Sequence, residues 1–376
     1  MVNNYIYAYI IYALVVYIIG MMTFKYKLKM KNVYILILIL IITNAFIASI
    51  RPSMTQDTSL YNLIYDESCS IISTIKMNGI GTFFGNRSFY SVELFYILVM
   101  SIFRLLFSSP FLFYFIQGIV SNICMIYGLF CLCEYIYELD TKEKKIVFAS
   151  DKLIRLYACY LLFCGILYTS SAIRDGLSLS IGLVALSNLL LQRKKLLSVV
   201  LIFFSILIHT KSLIIIPLYL LILLWHFKIS RKHTYIISVL IPILYFGKIG
   251  KFLVPCFTWI IKSILQLFNI QAFYSYITNL DFRLPMREGM IIVITCFLIA
   301  LAYKEDKKIS KYWAVVFCGL FIFVFAYPIP ALARILYIFL LFIFPLIIKD
   351  SKFERHLYYL SFLYLVPQVV YVFGYL

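Results

Sequence analysis

Five ionisable side chains sit where apolar stretches of this chain begin or end: Arg51, Arg174, His209, Lys211 and Arg334. An arginine presents a planar fork of donors that matches phosphate oxygens, and low local dielectric strengthens each such contact. An imidazole titrates near neutrality and is the usual general base. Together these types suit binding of a lipid diphosphate, whose tail lies in hydrocarbon and whose headgroup lies at the interface. Asp57, Tyr61 and Tyr65, in DTSLYNLIY, add a carboxylate and two aromatic faces of the kind that suit sugar rings. Tyrosine is also ordinary material of a membrane-interface belt.

Ionised groups inside a bilayer cost at least ~2.5–3.5 kcal/mol each unless paired or hydrated, so their placement needs a reason. Each has a plainer reading. Arg51 suits a snorkelling anchor at a helix end. Arg174 could pair with Asp175 at a helix start, where an aspartate suits the dipole and an arginine does not. His209 could be a structural histidine in an apolar helix, although Lys211 beside it argues for a wet site. Glu93 is a candidate partner for one of the arginines.

The elements that must position these residues are membrane helices. The 376 residues are 64% hydrophobic and 13% charged, with a mean hydropathy of +0.98, more apolar side chain than a soluble core absorbs. The reading is an all-α, polytopic integral membrane protein forming one membrane domain over 1–376, with about 11–14 transmembrane helices. The formal charge of +18 is concentrated in short basic segments between apolar runs, as the positive-inside rule requires. No soluble basic, aromatic-interleaved segment is present to hold nucleic acid. Most of the nine cysteines fall within apolar runs and read as small hydrophobes, so no metal site is assigned. Cys69 and Cys256 fall in loops placed outside, where a disulfide would be allowed. The first run, Tyr5–Met22, lacks a basic leader and a cleavage site and reads as a retained helix.

KYKLKMK (25–31), QRKK (192–195), KISRKH (228–233), KEDKKISK (304–311) and KDSKFERH (349–356) read as cytoplasmic. The outer side then holds 173–175, 210–211, 328–333 and two long loops, 51–89 and 251–287. One inconsistency follows: with 25–31 inside and Arg174 outside, the runs at 90–107, 111–137 and 156–172 give a wrong number of crossings. Either one run is re-entrant, or the stretch 70–85 dips into the bilayer, or 196–227 is one long helix and Arg174 lies inside. Helix rise brings the polar residues to one depth. Arg174 lies roughly 30 Å from QRKK and His209 roughly 22 Å from it. Arg51 lies roughly 30 Å from Lys31, and Arg334 roughly 22 Å from Lys349.

Three pieces of sequence resemble the EpsG/Wzy-type bacterial polysaccharide polymerases. The first is Arg51 followed by Asp57 and Tyr61. The second is IRDGLSLS, a basic QRKKLL turn and the histidine block HTKSLI. The third is ARILYIF, an arginine opening a late helix. Asp175 stands where the family usually has Gln, and Lys211 is an addition. The resemblance implies a glycosyltransferase that needs no metal or other cofactor. It would join undecaprenyl-diphosphate-linked repeat units into O-antigen, capsule or exopolysaccharide at the outer face of the bacterial cytoplasmic membrane. Its partners would be the lipid-linked donor and acceptor, membrane lipid and a chain-length regulator protein. The expected catalytic residues are His209, Asp57 and Arg174, with either His209 or Asp57 as base. Arg51, Tyr61, Tyr65, Lys211, Arg283 and Arg334 are the expected substrate ligands, Arg283 lying in the loop 251–287. The main alternative is a lipid-linked oligosaccharide flippase, which would want charges along a path through both halves of the membrane. An acyltransferase would want its histidine paired with a carboxylate, and no such short pair stands out in the sequence. A scaffolding protein would not explain converging polar residues.

Overall fold

The computed structural model describes residues 2–50, 58–67, 94–137, 152–165, 167–225, 229–267, 280–302, 307–329, 336–348 and 351–368. Among them all regular structure is helical. The chain divides into two compact units, Met1–Tyr219 and Leu220–Leu376.

The first unit contains α1 (Val2–Met22), α2 (Met30–Ser49), α3 (Thr58–Glu67), α4 (Leu94–Leu106), α5 (Phe111–Tyr137), α6 (Lys152–Tyr160), α7 (Ile173–Leu190) and α8 (Lys195–Ile208). Two successive π-helical turns, Leu161–Gly165 and Leu167–Ser171, continue α6. A 3₁₀ turn, Thr210–Ile214, follows α8 and leads into α9 (Ile215–Leu224).

Contacts fix the helix directions in this unit. Gly118 of α5 packs on Ala45 of α2, and Asn44 donates to Asn122 at 2.9 Å, so these two helices run antiparallel. Gln117 donates to the Ile173 carbonyl at 3.1 Å, Gly128 lies against Leu183, and Arg193 reaches Glu134, so α5 and α7 run parallel. Thr23 beside Arg155 and Tyr12 beside Tyr157 set α1 antiparallel to α6. Small residues allow these close approaches, and the asparagine and tyrosine bonds hold the helices together where water is absent.

Two ends emerge. One carries Thr23, Glu134, Arg155 and Arg193, next to the basic segments 25–31 and 192–195. The other carries the start of α5, the start of α7 and the end of α8. Residues between α2 and α5 leave and return at this second end. The described part of α4 covers 13 residues, Leu94–Leu106. It packs there through Tyr96 on Gln117 (2.8 Å) and through its following residue, Phe107, whose carbonyl accepts from Tyr65 (2.9 Å). The described part of this run, Leu94–Phe107, therefore lies at the second end. The long-helix alternative for 196–227 fails. Ser205 and Ser212 both meet Ser178, and Ile215 lies against Gly182, so the chain reverses around His209.

The second unit contains α10 (Arg231–Phe246), α11 (Ile249–Leu267), α12 (Met286–Ala302), α13 (Lys307–Ala326), α14 (Leu336–Leu340), α15 (Ile343–Ile348) and α16 (Ser351–Ser361). Tyr245 ties α10 to the start of α12 through the Pro285 carbonyl (2.6 Å) and stacks on Phe323 of α13. The segment expected as an outer loop, 251–287, is helical up to Leu267, and α11 bends 76° away from α10. Lys248 at the bend adopts a left-handed φ of 56°.

Among the described residues, three helices are long and apolar enough to cross a membrane: Lys31–Ser49, Phe111–Ile136 and Ile173–Leu190. The bent pair α10–α11 makes a fourth if counted as one span. This is a membrane-type helical architecture. Shorter apolar helices accompany them, among them Phe95–Leu106 and Lys195–Ile208. Cys256 is exposed and carries a free thiol, while Cys69 lies outside the described residues.

Candidate functional site

The site end of the first unit is shaped by two breaks in helical geometry. Before α7, the two π turns widen the backbone: the Ala172 N–H donates to the Leu167 carbonyl at 2.6 Å, five residues back. Such turns are rare and recur at functional sites. The chain then folds back so tightly that a Cβ on Gly176 would lie 2.6 Å from the Tyr168 carbonyl oxygen. In a straight helix those two residues would be about 12 Å apart. The reversal places Arg174 and Asp175 in the first turn of α7.

The second break is His209, extended at φ −156° and ψ 122° between α8 and the 3₁₀ turn. Its N–H donates to the Ser205 carbonyl (2.9 Å), and its carbonyl accepts from the Ser212 N–H (3.0 Å) and the Ser178 hydroxyl (3.3 Å). The backbone is held on both sides while the ring projects towards α7. Lys211 follows within the 3₁₀ turn.

These breaks bring three ionisable groups together. The Nε2 atom of His209 meets Oδ1 of Asp175, and Nζ of Lys211 lies 2.9 Å from Oδ2. Asp175 is 4% exposed and His209 is 7% exposed. A carboxylate this buried requires charge or hydrogen-bond partners. Here an imidazole and an ammonium share it. Arg174, the neighbouring residue, holds its guanidinium 6.0 Å from the centre of the Tyr61 ring. At the same end a small crevice is lined by Ala48, Gln117, Ser121, Tyr168, Thr169 and Ile173, among others.

The expected site residues fall into three groups. His209 and Lys211 come together on Asp175, and Arg174, next to Asp175 in sequence, holds its guanidinium towards Tyr61. Tyr61 and Tyr65 come to the same end but lie in a core cluster with Tyr96, Phe113 and Ile208. Tyr61 is 2% exposed and Tyr65 fully buried, with Arg104 over the Tyr65 ring. Neither ring presents an open face for a sugar. Arg283 belongs to the second unit, with a side chain 93% exposed and paired to Asp281 at 3.2 Å. Arg51, Asp57, Glu93 and Arg334 lie outside the described residues.

Asp175 itself was read only as a partner for Arg174 or as a dipole residue. The structure pairs it with His209 and Lys211. The ground for setting an acyltransferase aside, that no histidine–carboxylate pair was visible, is thereby corrected. The missed signal lay in two helices joined by a basic turn, each carrying ionisable residues at the end far from that turn. In the second unit Arg287 is buried, bonded to the Tyr337 hydroxyl with its guanidinium 5.2 Å from that ring.

None of the curated proteins compared with the chain matches it, and none of the solved structures does. Residues 34–375 match the EpsG family, nearly the whole chain and both halves of the His209 cluster. The chain is therefore a member of the EpsG family of Wzy-type polysaccharide polymerases.

Proposed function

We propose that the chain joins oligosaccharide repeat units carried on undecaprenyl diphosphate into a long polysaccharide, at the outer face of the bacterial cytoplasmic membrane. The sidedness rests on the two ends of the first unit. The segments 25–31 and 192–195 flank one end, and positive charge favours the cytoplasm there. Arg174, Asp175, His209 and Lys211 are at the other.

The observation that carries the reading is the buried cluster of His209 and Lys211 on Asp175, with Arg174 next in sequence. In the reaction, His209 takes the proton of the acceptor sugar hydroxyl. That oxygen attacks the anomeric carbon of the donor glycan as the bond from this carbon to the diphosphate oxygen breaks. The lipid diphosphate leaves with the electron pair. Charge develops on the leaving oxygen, and a preorganised arginine stabilises it without reorganisation. Arg174 fills that role, with Arg51 and Arg334 as further diphosphate ligands and Asp57 as a ligand of the acceptor sugar. Arg283 contributes to recognition of the repeat unit.

The His209–Asp175 pair also meets the requirement of an acyltransferase. Membership of a polysaccharide polymerase family favours sugar transfer. The test is the surface glycan of a strain carrying Arg174→Ala or His209→Ala at normal protein abundance. Long chains disappear while single repeat units still reach the surface. Loss of the single units in a deletion strain would identify a flippase, and full-length chains lacking an acyl group would identify an acyltransferase.

A further inference from the structure

Building on the polymerase reading, we infer that Asp175 is the positioning residue for His209, and that Lys211 acts through Asp175 rather than on the diphosphate.

The backbone of His209 is pinned by Ser205, Ser212 and Ser178, which leaves the ring orientation to be set by its side-chain partner. That partner is Asp175, which meets Nε2 through Oδ1. A carboxylate accepts, so the neutral ring carries its proton on Nε2 and its lone pair on Nδ1. Nδ1 is buried, so the acceptor must displace what covers it before its hydroxyl reaches that lone pair, while the Nε2 proton stays with Asp175. The imidazolium so formed is stabilised by the same carboxylate, as in other histidine bases oriented by an aspartate.

Lys211 completes this arrangement. The ammonium on Oδ2, at 2.9 Å, balances the carboxylate charge and fixes its second oxygen, which holds Asp175 in the orientation that meets the ring. The two positions at which the chain departs from the pattern of the family it resembles, Asp175 and Lys211, are thus in direct contact. The sequence reading had placed Lys211 among the phosphate ligands, and the contact gives it a different task.

The experiment compares Asp175→Asn, Lys211→Met, the double variant, Lys211→Arg and His209→Ala in membranes supplied with a lipid-linked repeat unit. Rates are normalised to protein abundance and measured against donor concentration. Asp175→Asn and Lys211→Met each lower turnover about tenfold or more, with the donor KM unchanged. The double variant, neutral at both positions and still able to accept from Nε2, turns over several-fold faster than either single one, the signature of coupled residues. Lys211→Arg, which keeps the charge, stays within a few-fold of the parent.

A double variant as slow as the product of the two single losses overturns the inference. So does a donor KM raised by Lys211→Met, since that marks a direct ligand, or a Lys211→Arg loss equal to that of Lys211→Met. Two failures are separate: if His209→Ala keeps full activity the base assignment is gone, and if the parent protein joins no repeat units the polymerase reading is gone. If His209→Ala is inactive and the double variant shows simple additivity, only the Asp175–Lys211 inference falls.

Discussion

The two ends of the first unit both bury charge, but they do so differently. At the basic end, Arg193 grips Glu134 through both carboxylate oxygens. Arg155 is held by the Thr23 hydroxyl (2.8 Å) and the Thr23 carbonyl (3.3 Å), with its guanidinium 3.7 Å from the centre of the Phe24 ring. Each cation there has a fixed seat, and the contacts lock helix to helix. At the other end, one carboxylate serves an imidazole and an ammonium, and a guanidinium occupies the preceding position. The difference teaches where chemistry can occur. A one-to-one latch gains nothing from a proton transfer, whereas a shared carboxylate beside a titratable ring can stabilise either protonation state.

The largest expected contrast tests that division directly. His209→Ala removes the base and should lower polymerisation about 10²- to 10⁴-fold at normal abundance. Glu134→Gln at the opposite end should leave activity per molecule within about twofold and reduce only the amount of folded protein. The measurement is polymer formed per molecule in membranes, with abundance from immunoblots. A Glu134→Gln protein that folds normally yet makes no polymer would erase the distinction between the ends.

Gly176 links the site to its scaffold and gives the next effect in size. A methyl group there would meet the Tyr168 backbone at 2.6 Å, so Gly176→Ala must push the start of α7 away from the π turns. Overpacking of this kind costs about 1–3 kcal/mol. Because Asp175 is the preceding residue, activity per molecule should fall about tenfold, more than at any comparably tight glycine remote from the site. Gly128→Ala, tight against Leu183 in the middle of the α5–α7 contact, is the control. It should lower thermal stability in detergent while activity per molecule holds.

How much of this was visible beforehand depends on distance along the chain. Counting helix rise from the QRKK turn was enough to bring Arg174 and His209 to one level, because a helix fixes axial position well. It could not say which side chains face each other. That depends on rotation about the helix axis, about 100° per residue, and on the reversal at His209, which no propensity announces. Asp175 was therefore assigned to its neighbour Arg174 instead of to residues 34 and 36 positions away. The place of α4 was hidden for a related reason: LFYILVMSIFRLL is uniformly apolar, and nothing in its composition says that Tyr96 reaches Gln117 at the site end. The tyrosines of DTSLYNLIY were legible as aromatic and not as buried, since α3 hides them by packing on α4.

Arg155→Leu sharpens the basic-end half of the comparison. It deletes two charge-assisted bonds and a stacking contact in a buried site, interactions worth about 2–4 kcal/mol together at the usual rates. The melting temperature in detergent should drop by several degrees, with the activity of the surviving protein within about twofold. A larger fall in activity than in stability would mean that the basic end communicates with the site.

The smallest effect concerns Arg174 and Tyr61. A guanidinium 6.0 Å from an aromatic centre gains about 0.5–1 kcal/mol, and the same ring contacts Tyr96 edge-on at 5.9 Å. Tyr61→Phe keeps both ring interactions and should change the donor KM by less than about twofold. Tyr61→Leu keeps bulk but loses the π face, and should raise the donor KM about two- to fivefold with turnover held, because the guanidinium is less well fixed before the diphosphate arrives. The pair of variants separates two roles for this tyrosine. If the phenylalanine variant is as impaired as the leucine one, the hydroxyl rather than the ring matters, and Tyr61 acts on substrate or on another polar group. If only leucine is impaired, Tyr61 is part of the seat of Arg174, and its burial in the α3–α4 cluster is what keeps that seat rigid.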